Sequence, residues 1–159
     1  MLKSYLLTFL ISMVPIVELR GAIPYGTLYC DPPVPLLHAY ILAILGNLLP
    51  VPLIFFFARK VLEWGSEKPV IGRFFSWCLR KGHRAGEKLS ARSRYGLYWA
   101  LMLFVGIPLP GTGAWTGALG ASFLDMNFKK SILYITLGVI LSGIIMASLS
   151  ALGDRKSVV

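Results

Sequence analysis

The sequence predicts an all-α integral membrane protein: an inverted repeat, each half a re-entrant helix-loop-helix hairpin followed by a transmembrane helix, with a cytoplasmic amphipathic helix between the halves. Three observations predict it. Of the 159 residues 56% are hydrophobic and 14% charged, with a mean hydropathy of +0.70, a balance that a soluble domain with a polar exterior hardly sustains. Two charge-free stretches are long enough to cross ~30 Å of hydrocarbon as continuous helices, whereas two others are interrupted by glycine and proline. The halves also repeat at an offset of 92 residues: Gly21-Ala22 falls on Gly113-Ala114, and Leu45-Gly46 on Leu137-Gly138.

The chain reads as one membrane domain, 1–159, divided into repeat 1 (4–58), a basic loop (59–94) and repeat 2 (95–152). In repeat 1, Ser4 to Tyr29 has an apolar half, an interruption at Pro15, Glu18, Arg20, Gly21 and Pro24, and a shorter apolar half. Lys3 followed by Leu6 to Val17 imitates a signal peptide, but it lacks a small-x-small cleavage site and runs into Glu18 and Arg20, so retention is expected. His38 to Ala58 follows as an ordinary span, with Gly46, Asn47, Pro50 and Pro52 as kink candidates.

Ten of the 16 Lys and Arg residues fall between Arg59 and Arg94. A basic block beside apolar segments indicates a cytoplasmic loop near anionic headgroups, and no nucleic-acid motif accompanies it. Val70, Ile71, Phe74, Phe75, Trp77 and Cys78 recur at helical spacing, which predicts an interfacial amphipathic helix. Arg73, Arg80, Lys81 and Arg84 would contact lipid headgroups. A solvated basic linker is the competing reading for Gly82 to Arg94.

In repeat 2, Tyr95 to Leu124 carries no charge, and as one helix it would be about 45 Å long. Its middle, Gly106 to Gly113, holds two prolines and three glycines, which break a helix. Irregular backbone at membrane depth is tolerated only where protein buries it or water lines it. The second span, Ser131 to Leu152, offers a small-residue face at Gly138, Ser142, Gly143 and Ala147. One hairpin and one crossing per half make the second half inverted, with the two tips facing each other near the midplane. Cation counts fit both this arrangement and four full crossings; the helix breakers and the repeat favour hairpins.

Glu18 and Arg20 are the only charges in either broken segment, and an ionisable group at membrane depth costs a few kcal/mol unless paired or wetted. They are the first candidates for a substrate or ion site, together with Gly21 and Pro24. Glu18 would serve as proton or cation partner and Arg20 as anion partner; a structural salt bridge fixing the loop is the competing reading. Across from them Pro108, Pro110, Gly111, Thr112, Gly113 and Trp115 offer backbone groups, a hydroxyl and an indole. A half-helix beginning after Gly113 would point free N–H groups at an anion or at Glu18. No catalytic set, P-loop, clustered metal ligands or cofactor motif can be assembled, so the chain reads as a non-enzyme with no cofactor.

Pro15-Ile16-Val17-Glu18-Leu19-Arg20-Gly21-Ala22-Ile23-Pro24 together with Pro108-Leu109-Pro110-Gly111-Thr112-Gly113-Ala114-Trp115 resembles the putative small multidrug export protein family of bacteria and archaea. That family is regarded as distantly related to the DedA, or SNARE-associated (VTT), membrane proteins. The resemblance implies a prokaryotic plasma-membrane location and a transporter of an amphipathic or lipid-like substrate, with proton or ion coupling. DedA-type second hairpins carry arginines that the loop from Pro108 to Gly117 lacks. A non-transporting membrane assembly or bilayer-remodelling factor is the alternative. Two spans are few to enclose a pathway, so a homodimer through the Gly138 and Gly143 face is expected.

Overall fold

The computed structural model describes residues 1–15, 17–68, 72–73, 76–77, 80, 84, 96–109 and 111–156. Among these there are helices and no strand. They are α1 (Leu2–Ser12), α2 (Glu18–Pro24) running into a π-helical turn (Tyr25–Tyr29), α3 (Leu36–Leu48), α4 (Val51–Ser66), α5 (Gly96–Gly106), α6 (Ala114–Phe123) and α7 (Phe128–Lys156).

Two helices are long and apolar enough to cross a membrane, Leu36–Ser66 and Phe128–Gly153. Leu133, Leu137, Ile140 and Ile144 form an exposed apolar stripe along α7, the outward face that lipid would cover. The first long helix bends at Leu49 and Pro50, with Pro52 in the opening turn of α4, where a missing N–H costs nothing. It also continues past Ala58, so residues 59–66 of the expected loop are helical. Arg59 and Glu63, 3.2 Å apart at i,i+4, support this extension. Beyond it, the expected helix from Val70 to Cys78 lies for the most part outside the described residues, as does Lys81. Arg73, Arg80 and Arg84 are helical and exposed.

The remaining helices come in broken pairs. At ~1.5 Å per residue, α1 and α5, of 11 residues each, reach about half the hydrocarbon thickness. The first break spans Met13 to Val17, and the second runs from Ile107 to Gly113. Gly21 and Pro24, expected in the first break, lie instead inside α2. Proline has no N–H to offer the carbonyl four residues back, and the chain accommodates this by passing directly into the π-helical turn.

Contacts fix the running directions. The Tyr5 hydroxyl lies 2.7 Å from His38 Nδ1, and a Cβ on Gly46 would strike Ser12 and the Phe9 carbonyl, so α1 runs parallel to α3. Gly26 packs on Thr8, which turns α2 back along α1. In the other half, the Tyr98 and Tyr134 rings are 5.3 Å apart, and Gly138 lies against Met102 and Val105, so α5 runs parallel to α7. The Asn127 N–H donates to the Tyr98 hydroxyl at 3.3 Å, so α6 returns to the end where α5 began. The two long helices are antiparallel: Gly143 packs on the Tyr40 ring at one end, and Phe128 on Phe55 and Phe56 at the other. Each second arm then crosses to the opposite half, α2 onto α7 and α6 onto α4.

The core holds Leu19, Ile23, Val51, Val105, Ile135 and Val139, with Ala22, Ala43, Ala114, Ala118 and Ala121 between them. Alanines let the short arms approach the long helices closely, where packing and not hydrophobic burial provides the attraction. Gly138 and Gly143 are used up in contacts within the protomer, so they do not form the free face expected for a dimer.

Candidate functional site

The two breaks meet. Glu18, 5% exposed, begins α2 with a left-handed φ of 49°, a conformation that costs a non-glycine residue about 1–2 kcal/mol. That backbone turn accompanies a side chain directed across to the second break, where Oε1 accepts the Trp115 backbone N–H at 3.3 Å. Gly113 is the N-cap of α6 and Ala114 its first residue, so the carboxylate occupies the positive end of that helix. Gly113 adopts φ 148°, and a Cβ there would collide with the carboxylate. Its glycine is thus required twice, by the backbone and by the approach of Glu18.

Arg20 goes to the other side of the same break. Its guanidinium donates to the Leu109 carbonyl, to Thr112 Oγ1 at 2.9 Å and, at 3.5 Å, to the Ile107 carbonyl. These oxygens follow the last turn of α5, the negative end of that helix. Thr112 completes the arrangement within its own loop, its hydroxyl lying 2.8 and 2.9 Å from the Ile107 and Leu109 carbonyls, which share its single hydrogen. Gly111, with φ 82° and open space around it, supplies the turn.

Glu18 and Arg20 therefore do not form the salt bridge considered from the sequence. Among the described residues no lysine or arginine nitrogen lies within 4.0 Å of Glu18. One charge from the first break serves each helix end of the second. The expectation that free N–H groups after Gly113 would face Glu18 agrees with this geometry.

The other sequence candidates are distributed unevenly. Thr112, Gly113 and Trp115 join Glu18 and Arg20 directly. Pro108 is half-buried where α5 has ended, Gly21 and Pro24 are inside α2, and Pro110 lies outside the described residues. Among the described residues, the buried Trp115 indole Nε1 has no hydrogen-bond partner, nor does Arg20 Nε. Arg73, Arg80 and Arg84 take no part.

Two features escaped the sequence reading. Asn47 on α3 is fully buried, and its amide faces the Glu18 carboxylate. A lone amide inside a charge-free span was the available signal. Farther out, Arg59 pairs with Asp125 at 2.6 Å, and the Ser122 hydroxyl donates to the Phe55 carbonyl at 2.8 Å. Both tie the end of the second broken pair to α4.

A family model described as Putative small multi-drug export protein matches residues 18–145, a range that contains Glu18, Arg20, the second break, the first long helix and most of the second. No curated protein matches the chain, and no solved structure does.

Proposed function

Because the chain belongs to the putative small multi-drug export protein family, we propose that it is a membrane transporter whose two broken helix pairs are re-entrant hairpins meeting near the midplane. The halves form an inverted repeat, and the substrate is amphipathic or lipid-like. The observation that carries this reading is the reciprocal capping of the second break by Glu18 and Arg20.

The repeat reading is supported by the antiparallel long helices and by Gly46 and Gly138, which stand 92 residues apart and each lie under the first arm of their own half. Arg20 and Thr112 are also 92 residues apart and touch each other. Equivalent positions that touch lie on a pseudo-two-fold axis, the place where transporters built from inverted repeats hold their substrates.

In this state the breaks are closed on each other. A substrate passing between them displaces Glu18 from the α6 N-terminus or Arg20 from the Ile107 and Leu109 carbonyls. An anionic headgroup competes for both exposed partners, the helix N–H groups and the guanidinium. The substrate thereby supplies the energy that opens the contact.

Two experiments test this. Purified protein in proteoliposomes should move a fluorescent phospholipid, a polyprenyl phosphate or a cationic dye, and Glu18→Gln should abolish that flux while the protein still folds. No flux of any of the three favours the second reading, a non-transporting assembly or bilayer-remodelling factor. That reading has its own observation: among the described residues the side-chain hydrogen bonds of Arg20 go to the opposite break, as in a fixed clamp. Cysteine accessibility tests the topology, because hairpins put Asp125 on the side of Ser93 and four crossings separate them.

A further inference from the structure

Two glycines of α6 are treated differently by the packing around them. A Cβ on Gly117 would strike the Val105 side chain, so that position is small because a neighbour fills it. A Cβ on Gly120 would meet no atom of the described residues within 4 Å. Glycine weakens a helix interior, and at Gly120 no close contact among the described residues calls for it. The space beside it is a groove of about 480 Å³ between α4 and α6, lined by Phe57, Ala58, Val61, Leu119, Gly120 and Phe123. That volume falls in the ~300–1,000 Å³ range of sites that hold small molecules. Its walls are pinned together, because the Ser122 hydroxyl donates to the Phe55 carbonyl at 2.8 Å and Arg59 pairs with Asp125 at 2.6 Å.

The groove itself is apolar, and its mouth is not. Phe57, Val61, Trp64 and Lys68 follow one another at i, i+4, i+7 and i+11, so one face of α4 and its closing turn runs from the groove to an indole and then to an ammonium. Trp64 is exposed, and Lys68 Nζ stands 4.6 Å from its ring centroid. Lys60, one turn before Trp64, is exposed as well. The helix Leu36–Ser66 has 31 residues, about 46 Å at ~1.5 Å each, so it outruns ~30 Å of hydrocarbon and its last turns stand among headgroups. Apolar wall, tryptophan and lysine in this order match the passage from acyl chain to phosphate in a bilayer leaflet. A second copy is a poorer occupant, because a symmetric contact here would set the lysines of both copies against each other.

The geometry points to a binding site for one anionic phospholipid, an acyl chain lying in the α4–α6 groove against Gly120 and the phosphate held by Lys60 and Lys68 beside Trp64. The inference rests on the membrane location of the chain and stands whether or not the chain transports anything. A lipid so placed touches both α4 and α6, and its binding stabilises the second broken pair against the first long helix.

The test uses the purified full chain, stripped of lipid in detergent and titrated with phosphatidylglycerol or phosphatidylcholine of the same acyl chains. Native mass spectrometry reads binding and thermal unfolding reads stabilisation. Phosphatidylglycerol should bind saturably, raise the unfolding temperature and outcompete phosphatidylcholine. Gly120→Leu fills the groove and should weaken binding about tenfold, the effect of excluding roughly two methylenes. Lys68→Ala should lower the preference for phosphatidylglycerol about fivefold, the worth of one cation at an anionic surface. A wild type that holds both lipids equally, or a Gly120→Leu variant that holds phosphatidylglycerol as tightly as the wild type, overturns the proposal. Should Gly120→Leu fail to fold, a phosphatidylglycerol with a photoreactive acyl chain is irradiated on the wild type. Crosslinks should then fall on Phe57, Val61, Leu119 or Phe123, and crosslinks confined to other helices sink the site. If Gly120→Leu changes the oligomeric state and leaves lipid binding untouched, the groove houses a second copy and the lipid site is wrong.

Discussion

The two breaks solve one problem by opposite means. The first, Met13 to Val17 with the start of α2, brings charged side chains, Glu18 and Arg20. The second, Ile107 to Gly113, brings uncovered main chain, exposed by Gly111 and Gly113. Each helix interrupted in a membrane leaves N–H and C=O groups that water cannot reach. Here one break donates the charges and the other the backbone, so neither is complete alone. The difference teaches why the two broken stretches look so little alike in sequence: they carry complementary chemistry, as Arg20 and Thr112, 92 residues apart and in contact, do.

Removing Arg20 should break this complementarity most severely. Arg20→Ala leaves the Leu109 carbonyl and Thr112 without their charged donor, and a loss of about 3 kcal/mol is expected from hydrogen bonds to a charged group. Unfolding in detergent checks it, and Arg20→Lys, a point charge without the planar fork, should restore only part. Wild-type stability in Arg20→Ala would show that the second break holds itself.

Gly113→Ala comes next, at about 2 kcal/mol, because backbone strain and the collision with Glu18 act together. Combining it with Glu18→Ala should recover the collision part, a coupling readable in a double-mutant cycle. Gly111→Ala sharpens the contrast. Its φ is also positive, but none of the described residues lies within 4 Å of a Cβ built there, so strain alone should cost about 1 kcal/mol. Equal costs at the two glycines would argue against a close approach by Glu18.

The smallest effect belongs to a contact outside the breaks. Arg59→Ala removes the pair with Asp125 at partly exposed positions and should cost about 0.5 kcal/mol, less in high salt.

The sequence made the breaks and long helices legible because Pro15, the glycines of 106–113 and the absence of charge are local signals. The length of α4 was not legible: Lys60 and Glu63 end a hydropathy run, although they continue a helix comfortably. Gly21 and Pro24 suggested a break, yet α2 absorbs Pro24 through a π-helical turn and packs Gly21 on Val17. Glu18 and Arg20 stood out by charge alone. Their separate destinations did not, because each partner lies about ninety residues away. Asn47 passed as a kink residue because its neighbour Glu18 is remote in the chain.

The reciprocal capping also bears on how the chain is made. Translation makes Glu18 and Arg20 well before Ile107 to Trp115, so until the second break is made both charges lack the main-chain groups that they cap. A product truncated ahead of Ile107 keeps them so permanently.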